Sequence, residues 1–75
     1  MSAIPAPAPL RVRVNGREIE LPPGANVAGL VAEVAPGAGP VAVERNGEIV
    51  PRDRWGATLL APGDRCEIVR FVQGG

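Results

Sequence analysis

Two Asn-Gly pairs, Asn15-Gly16 and Asn46-Gly47, constrain the fold of this chain more than any other feature. Asparagine and glycine both tolerate positive φ, and a tight two-residue hairpin turn with the twist of its flanking strands needs two such positions in a row. The residues around the first pair agree with that reading. LRVRV before it and REIEL after it alternate apolar and charged side chains, the period of a strand with one buried face. A two-residue loop leaves one register: Val12 opposite Ile19 and Leu10 opposite Leu21 on the apolar face, Arg13 opposite Glu18 and Arg11 opposite Glu20 on the other. The facing charges predict cross-strand ion pairs worth about 0.2 to 1 kcal/mol each, a simpler account of the arginines than a basic partner-binding patch.

Beyond Pro22-Pro23-Gly24, Asn26 is placed to cap a helix whose apolar residues Val27, Leu30, Val31 and Val34 follow the i, i+3, i+4, i+7 spacing. Gly29 weakens so short a helix, so its stability must come from packing that stripe on the apolar face of the hairpin. Pro36-Gly37 ends it. VAVER then leads into the second Asn-Gly turn and EIV leaves it, before Pro51 stops regular pairing. Residues 51 to 58 read as an irregular connection, with Trp55 a lid over one edge of the core. A short apolar pair, Leu59-Leu60, a Pro62-Gly63-Asp64 turn and a last strand, RCEIVR, complete the order. A helix between an initial hairpin and later strands packs most economically as an α+β domain: one mixed sheet of four to five strands with the helix across one face. That arrangement is the ubiquitin-like β-grasp. The expected boundaries are a flexible Pro-rich extension over residues 1–9, the domain over 10–71 and a flexible diglycine tail over 72–75.

A chain of 75 residues holds one modest core and has no room for a deep catalytic cavity as well. Eight arginines balance eight acids without long runs of either sign, so neither nucleic acid nor a membrane surface is an expected partner. The chain contains neither lysine nor histidine, the usual Schiff-base nucleophile, general base and metal ligand. No metal site and no enzymatic activity of its own are expected. The single cysteine, Cys66, needs no oxidising compartment, and the opening MSAIPAPAP lacks the pattern of a secretion signal, so the expected location is the cytoplasm. Cys66 falls in the middle of the last strand in phase with Ile68, which predicts a core residue instead of a reactive thiol.

Chemistry is left to the end of the sequence. Gly74 and Gly75 directly follow a strong strand, and Val72 to Gly75 would span about 13 Å if extended. Residues without Cβ can enter a channel too narrow for side chains. A terminal carboxylate is ionised at neutral pH and is a poor acyl electrophile, so reaction at Gly75 requires activation by another enzyme, with an acyl-adenylate the obvious route.

The segments VNGREIELPPGANVAGLV, VAVERNGEIVPRDRW and TLLAPGDRCEIVRFVQGG resemble the sulfur-carrier proteins of thiamine biosynthesis, the ThiS family, over about residues 10 to 75. The resemblance lies in the combination of VNG in the first turn, VAVxxNGEIVPRxxW in the middle and GDxxEIVxxVxGG at the end. It implies a β-grasp protein that is a co-substrate and not an enzyme, monomeric when free, and that binds no cofactor itself. An E1-like enzyme using ATP and Mg²⁺ would adenylate Gly75, sulfur from a cysteine desulfurase or another donor would convert it to a thiocarboxylate, and thiazole synthase would accept the sulfur. Gly75 would carry the sulfur and Gly74 would admit it to both active sites. Leu59, Val69, Phe71, Val72 and Gln73 are the residues expected to meet partners. The proline-rich start and Gln73, where glycine or alanine is common, depart from the family pattern. The molybdopterin synthase small subunit, sulfur carriers of other pathways, a ubiquitin-like protein modifier and a plain binding module remain open as alternatives.

Overall fold

The computed structural model describes residues 8–37 and 39–71; the expected lead-in before Ala8 and the tail after Phe71 lie outside the described residues. Five strands form one mixed sheet in the order β2-β1-β5-β3-β4, with β1 Leu10–Val14, β2 Arg17–Leu21, β3 Val41–Arg45, β4 Glu48–Val50 and β5 Arg65–Arg70. The helix α1, Val27–Val34, lies between the two hairpins in sequence. This is the expected β-grasp arrangement.

The first hairpin has the register that its two-residue turn dictates, with Leu10 opposite Leu21, Val12 opposite Ile19 and Arg13 opposite Glu18. Asn15 and Gly16 take φ of 50° and 81°, and Asn46 and Gly47 take 52° and 86°. Of the two expected cross-strand ion pairs, Arg11–Glu20 forms at 3.6 Å between exposed side chains. Arg13 instead donates from its guanidinium to the Gly16 carbonyl at 3.3 Å. An exposed arginine gains about as much from a nearby carbonyl as from a solvated carboxylate, so the turn outcompetes Glu18.

Asn26 caps α1 as expected, its side-chain oxygen accepting from the Gly29 N–H at 2.8 Å. The helix buries Val27 and Leu30, with Val31 and Val34 packed beside them, against the apolar sheet face of Leu10, Val12, Val14, Val43, Cys66 and Ile68. Each such side chain removed from water stabilises the fold by about 1.5–3 kcal/mol before the entropy of ordering it is set against that. The connection after Pro51 is a 3₁₀ segment, Arg52–Ala57. Trp55 in that segment packs on the core edge and donates from Nε1 to the Val50 carbonyl at 3.0 Å.

Leu59 and Leu60 form no full strand. Leu59 makes an isolated bridge with Asn26, while Leu60 is buried and its N–H donates to Ala25 O at 3.0 Å. The pair therefore ties the segment before β5 to the start of the helix. No helix among the described residues is long and apolar enough to cross a membrane.

Candidate functional site: the root of the C-terminal segment

The strand that leads to the diglycine is the central one. β5 pairs in parallel with β1 through Arg13–Arg65 and Val14–Cys66, and antiparallel with β3 from Val41–Arg70 to Arg45–Cys66. At its far end the Phe71 N–H donates to Pro40 O at 3.2 Å, the last backbone anchor before residues 72–75. Gly74, Gly75, Val72 and Gln73, the residues on which the sequence places most of the chemistry, lie outside the described residues.

Asparagine side chains from the two hairpin turns hold β5 at its start and at Ile68. At the start, Asn46 Oδ1 accepts from the Arg65 N–H at 3.0 Å and Asn46 Nδ2 donates to Asp64 at 3.0 Å. Asp64, 6% exposed, also accepts from Arg45 Nε and from the Ala61 N–H, each at 2.8 Å. Burial pushes the Asp64 carboxyl up, but these hydrogen bonds and the Arg45 charge outweigh it and hold the group below its ordinary value. Toward the other end, Asn15 Oδ1 accepts from the Ile68 N–H at 2.9 Å and Asn15 Nδ2 donates to Ile68 O at 3.2 Å. Sequence reading assigned the two asparagines to turn geometry alone. Their side-chain partners lie 19 and 53 residues away.

Cys66 is 2% exposed among the core side chains. Burial pushes its thiol up, the Asp64 carboxylate pushes it the same way, and Arg45 opposes them only in part. That environment suppresses the thiolate, so the cysteine packs as a small hydrophobe.

Val69 and Phe71 stand on the sheet face away from the helix, 52% and 58% exposed. Val69 is opposite Ala42, and Phe71 follows in phase beside Pro40. Together they make an apolar patch at the point where the chain leaves the sheet. Leu59 is equally open, at 65% exposed, but belongs to a different place. Its bridge to Asn26, with the Thr58 carbonyl accepting from the Val27 N–H, fixes it at the start of α1. That is the end of the sheet where β5 begins, since the Gly63 N–H donates to Arg11 O. From Arg65 the strand runs six residues to Phe71, about 20 Å. An open groove of about 570 Å³ between α1 and Trp55 has Arg52 as its only ionisable side chain among the described residues, which offer it no acid, base or nucleophile.

The ThiS family model matches residues 7–75. Among solved structures, the crystal structure of the thiamine biosynthesis protein ThiS from Geobacter metallireducens is 37% identical with a TM-score of 0.69, covering 88% of this chain and 100% of that one. A solution structure of a thiamine biosynthesis protein from the same organism is 33% identical with the same TM-score, covering 88% of both chains. Two thiazole synthases, from Paramagnetospirillum magneticum and Magnetococcus marinus, are 36% and 33% identical over 66 residues. The match covers 88% of this chain but spans only 20% of the length of each of those proteins.

Proposed function

Because the chain belongs to the ThiS family, we propose that it is a sulfur carrier of thiamine biosynthesis with the sulfur borne on Gly75. The observation that carries this reading is that the family match runs through Gly74 and Gly75. The structure adds a suitable base for such a tail: a central strand anchored on both edges, ending at an exposed apolar patch.

The chemistry follows from the inertness of a carboxylate. An E1-like enzyme with ATP and Mg²⁺ would let a Gly75 oxygen attack the α-phosphorus, releasing pyrophosphate and leaving an acyl-adenylate. The outer sulfur of a persulfide from a cysteine desulfurase or another donor system would then displace AMP to give an acyl disulfide, and a second thiol would cleave that disulfide reductively, taking the donor's sulfur into a new disulfide and leaving the thiocarboxylate. Thiazole synthase would take that sulfur into the thiazole ring and return Gly75 as a carboxylate. Beyond the Gly75 carboxylate and the thiocarboxylate it becomes, these steps ask no side chain of the carrier to act as acid, base or nucleophile. Its part is to dock through Val69 and Phe71, with Val72 and Gln73 continuing the contact, and to deliver Gly75 past Gly74 into each active site. The two thiazole synthases that contain a stretch similar to this chain support that enzyme as the acceptor.

Reconstitution with the adenylating enzyme, a sulfur donor and thiazole synthase tests the reading. Intact mass should show an oxygen-to-sulfur exchange on the chain, and thiazole phosphate should form only when Gly75 is present. Formation of molybdopterin instead, or attachment of the chain to other polypeptides, would replace this function with a different one.

A further inference from the structure

β5 outruns its neighbour β1, and the backbone ladder between them ends early. The Arg13 N–H donates to Asp64 O at 2.9 Å and the Asn15 N–H to Cys66 O at 3.0 Å, each step two residues along both strands. In a parallel ladder the next step would join the Ile68 N–H to a carbonyl of β1 and Ile68 O to an N–H two residues on. The chain has turned away by then, through φ of 50° at Asn15 and 81° at Gly16. The Asn15 side chain fills both vacancies, with its oxygen on the Ile68 N–H and its nitrogen on the Ile68 carbonyl. A primary amide presents an acceptor and a donor side by side, much as an extended backbone does, and thus continues the strand without any chain.

The consequence concerns the three residues that follow. Phe71 is held on the β3 side by Pro40 O, and Ile68 is held on the β1 side by Asn15. Without the amide, the end of β5 would be tied along one edge only and could pivot about β3. A pivot of about 10° at Ile68 would displace Phe71, three extended residues on, by about 2 Å. Misplacement of a reacting group by even about 1 Å can slow an oriented reaction by about a hundredfold.

We infer that Asn15 is a positioning residue for the charging reaction: its side chain fixes the origin and direction from which the last four residues extend to the adenylating enzyme. The inference rests on the proposal that Gly75 is the reacting residue. Asn46 provides an internal control, because it occupies the equivalent turn and holds the same strand at the opposite end, at Arg65.

The test is ATP–pyrophosphate exchange by the E1-like enzyme with wild type, Asn15→Gly, Asn46→Gly and a Gly75 deletion. Glycine keeps the positive φ and removes the amide. Asn15→Gly, at a temperature where circular dichroism shows it folded, is expected to lower kcat by about tenfold or more. Faster amide exchange confined to Ile68 and its successors should accompany the loss. Asn46→Gly is expected to keep the wild-type kcat despite a lower Tm. A folded Asn15→Gly with wild-type kcat, or an equal loss in Asn46→Gly, overturns the inference. Should Asn15→Gly not fold, Asn15→Asp decides, because it keeps the acceptor and loses the donor; a wild-type kcat there overturns the inference as well. Exchange that persists after deletion of Gly75, or that wild type does not support, counts against the sulfur-carrier reading instead.

Discussion

The Asp64 carboxylate and the Arg45 guanidinium meet at 2.8 Å at the foot of β5, bringing together the end of β3 and the turn that launches the last strand. Asp64 is held below its ordinary value of 3.8 by hydrogen bonds that need the folded chain. The unfolded chain therefore binds this proton more readily than the folded one. The stabilisation is fully present above about pH 4, the ordinary carboxylate range, and is lost as pH falls through the lower folded value. Asp64→Asn is expected to cost about 2 kcal/mol at neutral pH and to flatten the acid limb of the stability curve. Urea unfolding across an acid pH series would show it, and acid limbs of equal slope in the two proteins would refute it.

Cys66 should resist alkylation in the native protein and react once it is unfolded, because burial and the nearby Asp64 carboxylate suppress its thiolate. Cys66→Ser places a hydroxyl where the thiol is 2% exposed. A destabilisation of about 1–3 kcal/mol is expected, with sulfur transfer retained below the new Tm. A folded serine variant that cannot transfer sulfur would make the thiol, and not Gly75, the carrier.

Gly29 lies in the first turn of α1, and a Cβ there would meet Asn26 Oδ1 at 3.4 Å, an ordinary contact. Gly29→Ala is thus expected to gain up to about 1 kcal/mol from helix propensity without disturbing the cap. Thermal unfolding should show a raised Tm; a lowered one would mean that the cap cannot accommodate the methyl group.

Phe71→Asp should raise KM for the adenylating enzyme by about tenfold while changing stability by less than about 0.5 kcal/mol, since the ring is exposed. Leu59→Asp is expected to leave that KM unchanged, because Leu59 is fixed at the start of α1 and not beside Phe71. Equal effects at both positions would require a partner that spans the whole length of the sheet.

Much of this architecture was legible because its determinants are local. Asn15-Gly16 and the alternation on either side fix the hairpin register unaided, and Asn26 with the Val27–Val34 stripe fixes the helix and its buried face. What the sequence hid depends on distant partners. Nothing near Asn15 signals that its amide will meet Ile68, and nothing near Asn46 signals Asp64. Leu59, Val69 and Phe71, named together as residues expected to meet partners, are all exposed, but Leu59 is held at the start of α1 by its bridge to Asn26, a contact no local pattern announces. Arg13 shows the same limit from another side: register set it opposite Glu18, but a neighbouring turn carbonyl took its guanidinium.

The placement of β5 between β1 and β3 also bears on which copies of the protein a partner can use. The strand adjoining the final segment has both of its edges paired only when the first strand and the third are both in place. Val69 and Phe71 acquire their fixed spacing only at that moment. An enzyme that reads those two side chains would inspect, in the same encounter, whether the sheet beneath them is complete.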